Sequence, residues 1–226
     1  KGGVYVLEMS SYQLDLLKTV RFNVAVLLNI TPDHLDRHGD MAGYIAAKKH
    51  IFERQTAGDV AVVDVGIRDE GWGKREAKLI RISVEQELAD GVYVKDGVLY
   101  DITQSSIPHP SSLIPITSLT GKHNWQNAAA AYAACLCVGV APEKIYAAMQ
   151  NFAGLRHRLQ LVATIGGVRF INDSKATNAD ATQNALAAYN YNSDKIPHVD
   201  FVHSNIYWIL GGKQKAGGIE SLEEYF

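Results

Sequence analysis

An unbroken apolar run, Val24-Ala25-Val26-Leu27-Leu28, stops against Thr31-Pro32, and this junction constrains the chain more than any other feature. The run has the length and aliphatic, β-branched make-up of a strand buried on both faces, and therefore of a parallel sheet. Proline has no N–H to give to a ladder, so the strand must end there. Asp33, His34, Asp36 and His38 follow at once, up to Gly39. A loop at the carboxyl end of a strand is where open α/β sheets place their ligands. A helix is predicted next, with Tyr44, Ala47 and Ile51 on one face and Lys48 and Phe52 a turn apart. Acids, imidazoles and a lysine at such a place fit metal or phosphate chemistry, and equally a solvated loop with a surface amine.

The rest of the chain extends the same architecture. Val4-Tyr5-Val6-Leu7 reads as a central parallel strand with Glu8 at its carboxyl end, and Ser10-Ser11 can cap the helix beyond. Asp59–Asp64 and Leu79–Ser83 read as further strands, with a short helix and loops between Gly66 and Lys78. Val92–Tyr100 alternates across Asp96-Gly97, the signature of a hairpin, and suggests the edge of the sheet. Gln104–Leu119 reads as an extended connection; the block Leu119–Asn127 then opens an Ala-rich helix to Leu136, and a helix from Ala141-Pro142 runs to near Phe152. Leu161–Ile165 and Val168–Asn172 form a second hairpin across Gly166-Gly167, then a helix runs from Ala179 to Tyr189. Asn190–Asn205 is polar and irregular, and Ile206–Leu210 reads as a buried strand ending at Gly211-Gly212. The expected fold class is α/β: a mostly parallel central sheet with flanking helices, then part of a second, Rossmann-like domain. The domain boundary is expected at residues 1–153 and 154–226.

Charge and cysteine content narrow the function. A net charge of −2 leaves no electrostatic footprint for nucleic acid or an anionic membrane. No apolar run approaches the ~20 residues that span a bilayer, and no secretory leader opens the chain. Cys135 and Cys137 point different ways on a helix, so both read as small reduced core residues, which suits the cytoplasm.

Three blocks then carry a resemblance. Asn29-Ile30-Thr31-Pro32-Asp33-His34-Leu35-Asp36-Arg37-His38-Gly39, with Tyr44-Ile45-Ala46-Ala47-Lys48-Lys49-His50-Ile51-Phe52, resembles the central domain of the Mur ligases. Leu7-Glu8-Met9-Ser10-Ser11-Tyr12-Gln13-Leu14 upstream and Phe170-Ile171-Asn172-Asp173-Ser174-Lys175-Ala176-Thr177-Asn178 downstream stand in the family's order. The resemblance implies ATP-dependent amide synthesis. Its SSYQL and TPDHLDRH words are most similar to members that add D-glutamate to UDP-N-acetylmuramoyl-L-alanine, which makes both compounds the expected substrates of a monomeric enzyme.

The resemblance also assigns roles. Glu8, His34 and a carbamylated Lys48 would hold two Mg2+ ions, with Asp33 orienting His34. A carbamate replaces a cation with a hard anionic oxygen, and it forms only from a neutral amine, so Lys48 needs a lowered pKa. Asn124 and Asn127, one turn apart in a block resembling GxHNxxN, would contact the base of ATP, although both could simply cap the helix. His157 and Arg158, in the segment joining two domains of the family, would meet phosphate, and Asp173 would meet the ribose. Lys175, Thr177, Asn178 and Lys215 would serve the D-glutamate side or the phosphates.

One part of a Mur ligase is missing. No GxxxxGK[ST] phosphate loop occurs anywhere in the 226 residues; His123 follows Gly121-Lys122 where Ser or Thr is required. The chain is therefore expected to be an internal piece of a longer ligase, inactive alone. Two other readings stand beside it: another ligase of the superfamily, including the folylpolyglutamate type, and a truncated nucleotide-binding module.

Overall fold

The computed structural model describes residues 2–67, 76–103, 114–115, 119, 121–191, 206–212 and 218–225. The chain divides into two compact units, Lys1–Pro115 with Gln126–Tyr146, and Ile116–Trp125 with Ala147–Phe226.

The first unit is an α/β sheet. Helix α1 (Ser11–Asp15) starts at a capping box: the Ser10 hydroxyl accepts the Gln13 N–H and the side-chain amide oxygen of Gln13 (Oε1) accepts the Ser10 N–H. Strand β1 (Val24–Leu27) is followed by the short helix α2 (Leu35–His38) and by α3 (Met41–Lys49). The Asp40 side chain caps α3 on the Gly43 N–H at 2.8 Å. A Cβ at Gly43 would stand 2.2 Å from the His38 carbonyl oxygen, so glycine is what lets α3 lie against the end of α2. Strands β2 (Val60–Asp64), β3 (Lys78–Ser83), β4 (Val92–Lys95), β5 (Val98–Asp101) and β6 (Ile114–Pro115) complete a six-stranded sheet in the order of the chain. Strands β1 to β4 pair in parallel, β5 and β6 antiparallel. The β4–β5 hairpin turns at Asp96-Gly97, both at positive φ, as a two-residue turn of this kind requires.

Ala25, Leu27, Phe52, Ala61, Val63 and Ile67 pack into one apolar core, with Ile30 and Leu79 against it. Helix α4 (Lys122–Cys137) buries Ala128, Ala129, Ala130, Tyr132 and Ala133, and α5 (Pro142–Gln150) follows with Pro at its first position. The loop into β2 is held by Asp59, which is buried and accepts the Thr56 N–H (2.7 Å), the Thr56 hydroxyl (3.0 Å) and the Asn23 amide (3.2 Å). These bonds, led by the Thr56 N–H, keep its carboxyl below the ordinary range.

The second unit carries the hairpin β7 (Gln160–Ile165) and β8 (Val168–Asn172), turning at Gly166-Gly167 with φ of 58° and 82°. Helix α6 (Ala179–Tyr191) follows, and a 3-10 helix spans Glu220–Tyr225.

Two expected strands are not strands. Val4–Leu7 joins no ladder and is exposed, Val6 at 93%. Ile206–Leu210 likewise pairs with no described strand, with Ile209 at 96%. Apolar, β-branched residues supply the propensity, but a strand exists only once a neighbour takes its N–H and C=O groups. The cysteines are free and half-buried rather than fully in the core. The helix expected after Gly66 and the irregular segment after Tyr191 lie outside the described residues, as does most of the Gln104–Leu119 connection. Among the described residues no helix is long and apolar enough to cross a membrane.

Candidate ligand and metal site

In the first unit the predicted residues gather beyond β1. His34 is the residue before α2 and sits in the left-handed region at φ 54°. Asp33 secures it twice: one carboxylate oxygen accepts the His34 N–H at 3.0 Å, and the other lies 3.6 Å from Nε2 of the ring. Tyr12 meets the His34 ring edge-on at 5.0 Å and the His38 ring at 5.7 Å. His38 Nε2 is 3.0 Å from the hydroxyl of the buried Ser11. Arg37 pairs with Asp15 at 3.2 Å and places its guanidinium over Tyr12. Helix α1, which follows Glu8, is thereby stitched to the His34 loop through Ser11, Tyr12 and Asp15. Tyr12 and Asp15 have no role in the sequence reading, and Ser11 enters it only as a helix cap; the pairing of Ser11 with His38 has no signal short of the fold.

Lys48 projects from α3 with its Nζ 5.6 Å from the Tyr44 ring centre, and Tyr44 is itself buried 5.7 Å from the His38 ring. Burial pushes the Lys48 amine below the ordinary lysine range; the carboxylates of Glu8 and Asp33 act against that shift. Burial, with Asp33 second, raises the Tyr44 phenol. Glu8 is exposed. The structure thus brings Glu8 and Asp33 to bear on Lys48, with His34 against Asp33.

This donor set suits a hard cation. The carboxylates of Glu8 and Asp33 act on the Lys48 amine, which would become an oxygen ligand on carbamylation, and the His34 ring lies 3.6 Å from Asp33. Among the described residues no group of three or more His, Cys, Asp or Glu could hold an ion alone. Mg2+ commonly takes much of its shell from water and substrate phosphates, so the chemistry of Glu8, His34 and a carbamylated Lys48 is compatible with a metal site that other ligands complete.

Helix α4 borders the same sheet end. Its Gln126 amide donates to the Leu28 carbonyl (3.3 Å) and to Asp64 (2.8 Å), and Asp64 also accepts the Gly66 N–H (2.8 Å). Asn127 is exposed and Asn124 half-buried on this helix.

The second unit pins two further blocks together. The Leu159 N–H donates to Asp173 (3.0 Å), the Lys175 N–H to the His157 carbonyl (3.1 Å), and the Asn172 amide lies 3.0 Å from His157 Nδ1. His157 and Leu159 both take positive φ to make this turn. Arg158, Lys175 and Thr177 are exposed around it. Asn178 is committed to capping α6, its side-chain oxygen accepting the Ala181 N–H at 2.8 Å. Lys215 lies outside the described residues.

His123 is half-buried, and burial lowers its imidazole from the ordinary 6.5, opposed by Asp173. A neutral histidine in the fold means that the unfolded chain takes up protons first, so stability falls as pH drops below about 6.5. His123→Gln should flatten the fall in urea midpoint between about pH 7.5 and pH 5.5. An unchanged slope would show that His123 is not its source.

Residues 1–135 match the Mur ligase middle domain, and the chain belongs to the Mur ligase family. The chain is 45% identical over 234 residues to the UDP-N-acetylmuramoylalanine–D-glutamate ligase of Caulobacter vibrioides, matching 100% of this chain and 46% of that protein. It is 49% identical over 230 residues to the ligase of the same name from Rhodospirillum rubrum, covering 99% and 45%. The chain therefore spans about half the length of the curated relatives it matches. Among solved structures its fold is similar to MurF from Acinetobacter baumannii, with a TM-score of 0.58 and 24% identity over 79% of this chain and 39% of that one.

Proposed function

We propose that the chain forms part of an ATP-dependent, cytoplasmic, monomeric ligase that joins D-glutamate to UDP-N-acetylmuramoyl-L-alanine in peptidoglycan precursor synthesis. The observation that carries this reading is the half-buried Lys48 with its lowered amine, facing Glu8 and Asp33. The names of the relatives supply the substrates.

ATP would phosphorylate the substrate carboxylate, releasing ADP. The amine of D-glutamate would attack the acyl phosphate, lose its proton and expel phosphate to leave an amide. Glu8, His34 and carbamylated Lys48 would hold two Mg2+ ions, whose chemistry is to neutralise phosphoryl charge. Asp33 fixes the His34 ring for that task. Asn124 and Asn127 would bind the base, Asp173 the ribose, and His157 and Arg158 the phosphates. Lys175, Thr177 and Lys215 would orient D-glutamate, with Asn178 holding the helix start beside Thr177.

The test is ADP release by the full-length protein with UDP-N-acetylmuramoyl-L-alanine and a panel of amino acids. D-glutamate alone should support turnover. Turnover with a different amino acid would make it another ligase of the superfamily. A second reading, an inactive nucleotide-binding module, is favoured for the isolated chain by its lack of GxxxxGK[ST]. Calorimetry of this chain with ATP and Mg2+ should accordingly show weak binding.

A further inference from the structure

We propose that Gln126 is a positioning residue: one side-chain amide fixes the helix that carries Asn127 to the strand end from which the His34 loop departs. The inference rests on the reading above, in which Asn127 serves the base and His34 the metal.

The geometry is specific. Val63 and Leu27 are register partners in adjacent parallel strands, so Asp64 and Leu28 lie side by side just past them, at the carboxyl ends of β2 and β1. A carbonyl that leaves a ladder needs a new donor. Leu28 finds one in Gln126 Nε2 at 3.3 Å. The same nitrogen donates to Asp64 Oδ2 at 2.8 Å. An amide nitrogen has two hydrogens, one for each acceptor. Asp64 is only 9% exposed; it accepts the Gly66 N–H two residues on, and Gln126 reaches it from a distant helix. A bond to a buried carboxylate is charge-assisted, and removing its donor leaves that charge short of a partner.

Two parts of the proposed nucleotide site therefore share one anchor. Asn127 is the next residue along α4, and Asn29 begins the loop to Asp33 and His34 immediately after Leu28. If Gln126 lets go, the helix and the loop lose their common reference, and base binding and metal binding should weaken together. A residue that merely filled space would lower stability without moving both.

The experiment compares Gln126→Met, Gln126→Glu and Gln126→Lys in the full-length ligase. Methionine keeps the volume and loses the donor, glutamate sets a second carboxylate against Asp64, and lysine keeps a donor able to reach both oxygens. The KM for ATP and the Mg2+ concentration for half-maximal rate should each rise about tenfold in Gln126→Met. They should rise further in Gln126→Glu and stay within about threefold of the parent in Gln126→Lys. In parallel, hydrogen exchange on this chain should speed up across Asn29–His34 in Gln126→Met. A drop in melting temperature with both kinetic constants unmoved would overturn the proposal, as would a ranking by side-chain volume instead of donor capacity. Should the parent protein show no ligase activity, the functional reading fails, and the exchange measurement still decides the anchoring: unchanged exchange at Asn29–His34 refutes it.

Discussion

Lys48→Met in the full-length ligase will lower turnover by about 10²–10³-fold, the scale of losing one preorganised charge-stabilising group, and will leave the fold intact. Methionine keeps an unbranched side chain of similar length and removes the amine that sits 5.6 Å from the Tyr44 ring centre. Lys48→Arg should be as inactive, because guanidinium stays charged and forms no carbamate, whereas an ammonium acting simply as a cation would be replaced by it. The pH behaviour has a definite sign. Burial lowers the Lys48 amine from its ordinary 10.5, so the neutral form that the proposed carbamate requires becomes available at lower pH than in a free lysine. Between the lowered value and 10.5 the unfolded chain binds more protons, and this group adds to stability as pH rises through that window. Labelled bicarbonate should give a carbamate carbon signal that vanishes in Lys48→Met. Parent-like activity in Lys48→Arg would refute the carbamate role.

The largest loss of stability is expected at Tyr132. It is 1% exposed, donates to Asp101 Oδ2 at 3.0 Å, lies 3.1 Å from the Tyr146 hydroxyl, and stacks on the Tyr146 ring at 5.6 Å. Burial, then Tyr146 and Asp101, raise its phenol well above the ordinary range, so it stays a neutral donor. Tyr132→Ala removes a buried ring and should cost about 3–5 kcal/mol. Tyr132→Phe keeps the stack and should cost about 1–2 kcal/mol, the share of the lost hydrogen bond to Asp101. Urea unfolding of this chain measures both. Equal losses in the two variants would mean that the hydroxyl, and not the ring, holds α4 in place.

How far the amino acids foretell such contacts depends on the distance over which each is decided. Both hairpins were legible because Asp96-Gly97 and Gly166-Gly167 state their own turn, and the parallel strands because Val24–Leu28 and Val60–Val63 are apolar on both faces. The loop with Asp33 and His34 was legible as a loop because Pro32 cannot continue the strand before it. Val4–Leu7 and Ile206–Leu210 misled because propensity describes half of a pairing. Ser11 with His38, and Gln126 with Leu28 and Asp64, could not be read at all: each depends on a register or a helix crossing that brings distant positions to one place. Lowered basicity at Lys48 is what the proposed carbamate requires, but its cause, burial, is a packing fact.

The backbone at His34 carries a lesson for anyone mutating that position. A residue with φ of 54° selects for shape before it selects for chemistry. Asparagine or glycine there keeps the bend and deletes the imidazole, so each tests the proposed role of the ring by itself. Valine or isoleucine would distort the bend as well, and a dead enzyme obtained that way would say nothing about ligation. In a saturation library at this codon, the informative blanks are the variants that still melt like the parent.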